Sequence, residues 1–183
     1  MSSAEIKAKL KQMLDNDPLI KGKFKDWLPI HDPMYIGISA GQFFENFYAD
    51  NATFGVDDFC KANKWWDIKK SAWSGSLPQT MTLSYRRKVD CGPFCEETGV
   101  WKTFSLLTWK PDKFVMELDA ITDDPPYSTY FSSKEAWFVY SIGNRSIFWR
   151  KMFVKFTKWT MMEGTIKNGA YPGIITDGKE WYK

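Results

Sequence analysis

Residues 130–159 read YFSSKEAWFVYSIGNRSIFWRKMFVKFTKW, two long alternating runs joined by Gly143-Asn144. Alternation with a period of two over so many aromatic and β-branched residues is the signature of β-strands. A Gly-Asn pair between two such runs marks a tight hairpin. Working outward, 65–73, 80–89, 99–109 and 113–121 carry the same alternation, which predicts six or seven strands in all. Pro111-Asp112 forms a further short turn, and Asp123-Asp124-Pro125-Pro126 breaks the ladder. Short joints between successive strands imply an antiparallel meander.

Helical periodicity brackets this block. Ile6, Leu10, Met13 and Leu14 predict a short amphipathic helix over 4–14, and Ser39 caps a second over 39–48 with Phe43, Phe44, Phe47 and Tyr48 on one side. A helical turn is expected around 56–62. Beyond Trp159 the spacing of Met162 and Ile166 resumes a helix, which Gly169 and Pro172-Gly173 interrupt. Helices, then strands, then a helix describe an α+β fold: a curved antiparallel sheet around a C-terminal helix, leaving an apolar cavity. Residues 1–34 read as an N-terminal helical extension and 35–183 as one domain.

Composition narrows the function. With 183 residues, 10 Trp, 8 Tyr and 14 Phe, the chain buries enough apolar surface to exclude disorder and needs no metal or disulfide staple. A net charge of +3 is far from the footprint of a dedicated nucleic-acid binder. Three cysteines argue for a reducing, cytoplasmic setting, and the charged start MSSAEIKAKLKQML resembles no signal peptide. Cys91 and Cys95 lack the histidine or second cysteine pair that a zinc site needs. The single histidine, His31, lies in a Pro-flanked segment and serves no cysteine nucleophile as base. Glu96-Glu97 and Asp123-Asp124 read as solvated charges capping strand ends, since adjacent strand residues point to opposite faces. No catalytic set, metal site or cofactor motif emerges.

Two basic clusters remain. Lys61, Lys64, Lys69 and Lys70 interleave with Trp65 and Trp66, while Arg145, Arg150, Lys151, Lys155 and Lys158 have no acid among them. A solvated sheet face accounts for much of the second cluster. Basic residues beside aromatics also suit an anionic lipid surface, which makes Lys64, Trp65, Trp66, Lys69 and Lys70 candidates for membrane docking. Single-stranded nucleic acid would use the same ingredients.

From residue 114 onward the pattern is more specific. Pro126-Tyr127 after an acidic turn, Tyr130-Phe131 entering the next strand, Lys158-Trp159, and Ile166-Lys167-Asn168-Gly169-Ala170 in a helix resemble the VASt domain, the StAR-related sterol-transfer module of the Lam and GRAM-domain transporters. Upstream, Phe43 to Asp50 looks like that family's first helix, Ser71-Ala72-Trp73 and Leu83-Ser84-Tyr85 like its strands, and Cys91-Gly92-Pro93 like its lid loop. The resemblance covers 35–171. It implies a START-like helix-grip fold and non-enzymatic transfer of a sterol between membranes, often at endoplasmic reticulum contact sites. Gly92, Pro93 and Phe94 then become the lid, with Phe94 where the family commonly has lysine. Trp73, Tyr85, Phe104, Phe131 and Ile166 are the expected cavity wall, assigned by face parity. The rival readings are a filled-core module that binds a protein through its edge strand or helix 4–14, and an enzyme with buried titratable groups in the cavity.

Overall fold

The computed structural model describes residues 2–89, 96–124 and 126–180. Helix α1 (Ser3–Asp15) starts with a capping box, in which Ser2 accepts from the Glu5 amide and Glu5 accepts from the Ser2 amide. A one-turn helix α2 (Pro18–Lys21) follows, then strands β1 (Leu28–Pro29) and β2 (Met34–Ile36). Helices α3 (Ala40–Phe47) and α4 (Val56–Ala62) precede the meander β3 (Trp66–Lys70), β4 (Gln79–Lys88), β5 (Glu97–Lys110), β6 (Lys113–Thr122), β7 (Phe131–Ile142) and β8 (Arg145–Phe156). Helix α5 (Glu163–Glu180) completes the described chain.

The strands form one antiparallel sheet in the order β1-β8-β7-β6-β5-β4-β3, with β2 also on the outer edge of β8. This open, curved sheet with a C-terminal helix is the START-like helix-grip arrangement expected from the sequence. Eight strands replace the six or seven anticipated, because β1 and β2 are too short to leave an alternating pattern. Both lie wholly or partly within the segment read as an extension, so that segment supplies rungs to β8. Gly143 turns the β7–β8 hairpin at φ +59°, a conformation that side chains resist.

Each face of the sheet carries its own core. On one, α3 and α4 lay Phe44, Tyr48, Val56 and Cys60 against Met81, Leu83, Tyr85, Phe104, Phe114, Met116 and Trp137. On the other, Leu10, Leu14 and Phe24 cover Val115, Phe138, Tyr140 and Ile147. Burying side chains of this size contributes about 1.5–3 kcal/mol each, which fixes α1 to the sheet.

Two sequence expectations need correction. Helix α5 runs through Pro172 instead of ending there. The proline has no N–H to donate, so the helix forfeits one backbone hydrogen bond where it passes through. Nor do all the charges of β8 lie on a solvated face: Arg145 and Lys155 are exposed, but two others are not. Arg150 and Lys151 are both buried, and Lys151 Nζ donates to the carbonyls of Phe24 at 2.5 Å and Lys25 at 3.2 Å. The strand therefore uses its cations as internal ties, one on each face.

Asp17 provides the matching anionic tie. Its carboxylate accepts from the Lys113 ammonium at 2.5 Å, the Tyr140 hydroxyl at 2.6 Å and the Leu19 amide at 2.7 Å. Burial favours its neutral form, but Lys113, Tyr140 and the Leu19 amide outweigh that and hold the carboxyl below its ordinary range. A depressed folded pKa stabilises above the unfolded value and loses that contribution as pH falls through the folded one. Asp17→Asn should therefore cost about 1.5–3 kcal/mol near neutral pH, read by urea unfolding, and the variant should lose less stability than the parent on acidification below about pH 4.

Candidate lipid-binding site

An apolar cavity of about 380 Å³ lies between α3, the β2 strap and the sheet. Its wall consists of Met34, Ile36, Gly37 and Ile38 from the strap, Phe43, Phe47 and Tyr48 from α3 and its cap, and Trp137 and Phe148 from the sheet. No amine, guanidinium or carboxylate is among them. The volume falls within the range of small-molecule pockets, roughly 300–1,000 Å³.

Local sequence explains how the wall is held. Ser39 caps α3 by accepting from the Gln42 amide at 3.1 Å, and Gln42 accepts from the Ser39 amide at 3.0 Å. That fixes the rotation of the helix, so Phe43 meets Phe114 and Phe148 at centroid distances of 5.9 and 5.4 Å. The strap is pinned by register, Met34 opposite Phe148 and Ile36 opposite Ser146, and the Ser146 hydroxyl donates to the Ile38 carbonyl at 2.6 Å.

Behind Trp137 sits a buried ion pair. Arg150, 2% exposed, donates through Nε at 3.1 Å and through Nη2 to one Glu135 carboxylate oxygen, and Trp137 Nε1 donates to the same oxygen at 3.0 Å. The guanidinium stacks over the Trp137 ring at 4.2 Å. Trp137 is thus locked from both ends, with its ring plane fixed as a cavity wall. Burial and the nearby Arg150 charge lower the pKa of His31, whose ring lies 5.4 Å from Phe148. Burial pushes the Cys60 thiol up to about 11, an unreactive state near neutral pH. Among the described residues no group of His, Cys, Asp and Glu is arranged to hold a metal ion.

The five wall residues expected from parity do not line this cavity. Tyr85 and Phe104 belong to the packed core on the same face, and Trp73 packs against it with Nε1 donating to the Tyr48 carbonyl at 2.7 Å. Phe131 meets Phe156 at the far end of the sheet, and Ile166 is half-buried on α5. Face parity carries no information on which part of a sheet face α3 leaves open. The missed strap has a weak signal: Met34, Ile36 and Ile38 alternate, but over too few residues to stand out.

Lid residues Gly92, Pro93 and Phe94, with Cys91 and Cys95, lie outside the described residues. The strands that carry them are firmly built. Val89 donates to the Glu96 carbonyl at 2.9 Å, and Arg86 binds Glu97 at 3.0 Å, Asp124 at 3.2 Å and Asp123 at 3.5 Å. Asp123 also accepts from the Gly99 amide at 2.7 Å, so these acids organise the strand ends. In the docking cluster, Trp65 turns inward to stack on Tyr85 at 4.4 Å, and Lys70 pairs with Asp57 at 3.3 Å. Trp66 is half-buried, and Lys64 and Lys69 are exposed.

No helix among the described residues is long and apolar enough to cross a membrane. Comparison with curated proteins returns no match to this chain. The family model for the VAD1 Analog of StAR-related lipid transfer domain matches residues 32–173, taking in the strap, α3, the whole meander and the first half of α5. That family is one of lipid binding and transfer, not of enzymes, and its span includes every residue of the cavity wall. The chain belongs to the VASt family.

Proposed function

We propose that this chain binds a sterol or a similarly apolar lipid between α3, the β2 strap and the sheet, and carries it between membranes without covalent chemistry. The observation that carries the reading is the cavity of about 380 Å³ with a wall of aliphatic and aromatic residues and no charged group. Such a wall favours a ligand that is almost wholly hydrocarbon, because a charged headgroup would be buried there without a partner. The lid of Gly92, Pro93 and Phe94 would close over the cargo, and Phe104 and Trp73 would support the wall through their contacts with Tyr48, with Tyr85 in the core beyond and Phe131 and Ile166 left for a longer ligand to reach. Lys64 and Lys69 would draw the chain to anionic membrane surfaces, with Trp65, Trp66 and Lys70 backing them, in keeping with a peripheral, cytoplasmic role at endoplasmic reticulum contact sites.

Transfer of a fluorescent sterol from donor to acceptor vesicles tests this. The expected result is a rate that rises in proportion to protein concentration, and a rate no faster than spontaneous exchange with folded protein present contradicts it. A filled-core interaction module is the second reading, favoured by the solid packing around Tyr85 and Phe104.

A further inference from the structure

We propose that the corner where β8 passes into α5 is a docking surface for an anionic phospholipid bilayer. Its tip is Trp159 and Met161, 82% and 85% exposed, the most exposed large hydrophobic side chains among the described residues. Met162 and Tyr127 continue the apolar surface, and Lys155 and Lys158 flank it as exposed cations. The nearby acids are engaged: Glu163 on α5 by Lys167 at 2.6 Å, and Asp123 and Asp124 ahead of Tyr127 by Arg86 at 3.5 and 3.2 Å.

The backbone beneath the tip is fastened. The Thr157 and Lys158 amides donate to the Tyr130 carbonyl at 2.8 and 3.4 Å, and the Thr157 hydroxyl donates to the Thr129 carbonyl at 3.3 Å. Lys158 Nζ sits 5.3 Å over the Tyr130 ring, which meets Tyr127 edge-on at 5.7 Å. These contacts join the 3-10 turn Ser128–Tyr130 to the start of the β8–α5 link, so two segments distant in sequence present one amphipathic knob.

The chemistry of the knob selects a bilayer. Tryptophan favours the membrane interface, where the ring is in hydrocarbon and the N–H is wet. A flexible methionine beside it fits an irregular acyl surface. Each lysine near anionic headgroups adds about 1 kcal/mol. A protein partner would instead be expected to meet a pocketed apolar patch with a polar rim, whereas here the apolar groups project outward as a knob. None of these residues lines the cavity, so the docking surface extends the lipid-carrier reading without depending on it.

Co-sedimentation with phosphatidylcholine vesicles, with and without phosphatidylserine, decides the matter. The wild-type chain should bind the phosphatidylserine vesicles preferentially. Trp159→Ala/Met161→Ala should weaken that binding by about tenfold or more, and Lys158→Ala by about fivefold on phosphatidylserine vesicles only. Phe54→Ala, a comparably exposed aromatic on the α3–α4 connection, should bind like wild type. The proposal is overturned if the double variant binds as wild type, if docking is lost through Lys64 and Lys69 alone, or if wild type ignores both vesicles. It is also overturned if the variant's loss tracks a loss of self-association in sedimentation velocity. Sterol titration without vesicles reads the cavity separately, so failure of docking and failure of cargo binding are distinguishable.

Discussion

Glu135→Ala is expected to destabilise the fold by about 3–5 kcal/mol, seen as a lower urea midpoint with an unchanged slope. Arg150 is almost wholly buried, and Glu135 accepts from its Nε, its Nη2 and the Trp137 indole. Removing the carboxylate leaves the guanidinium to bear its desolvation without its anion. It also releases the indole whose ring forms the cavity wall. The cost therefore exceeds what any exposed ion pair of this chain could show, since exposed pairs contribute about 0–1 kcal/mol. Glu135→Leu/Arg150→Met together should recover most of the loss, because an apolar pair of similar volume avoids both desolvation costs. If the double variant is as unstable as the sum of the single ones, the two groups are uncoupled and the account of the pair is wrong.

The second large effect is on binding. Ile36→Trp should abolish measurable uptake of an apolar ligand, at least tenfold by about 1.4 kcal/mol of lost affinity, while costing little stability. Ile36 sits on the strap opposite Ser146 and contributes to the cavity wall. Tryptophan suits a strand as well as isoleucine does, and the empty space takes the larger ring. Gly37→Leu is the companion variant at the next position of the wall: a Cβ there meets nothing within 4 Å, so the larger side chain is accommodated without a clash. A fluorescent-sterol titration reads both. Unchanged affinity in both variants would place the ligand elsewhere.

The meander and its hairpins were legible because period-two alternation over ten or more residues has one structural meaning, as β7 and β8 show. Helix α1 was legible from the spacing of Ile6, Leu10, Met13 and Leu14, and α3 from Ser39 as its cap, whereas the capping box at Ser2 emerged only in the structure. Strands β1 and β2 were not, since two or three residues carry no period and form only because β8 offers an open edge. Burial of Arg150 and Lys151 was equally hidden. On sequence they look like charges on a wet strand, and partners such as Glu135 from β7 and the Phe24 carbonyl from the N-terminal segment are brought to them by the fold. The cavity depends on the same kind of long-range placement: face parity selected Tyr85 and Phe104, but the gap lies where the strap, not the sheet, completes the wall.

Equilibrium titration of the folded chain with a fluorescent sterol, followed by competition with unlabelled sterol and separately with phospholipid, tests the central claim most directly. The account predicts saturable binding near one to one, displaced by sterol and not by phospholipid, and lost in Ile36→Trp. No saturable binding by protein that is folded by circular dichroism would contradict it.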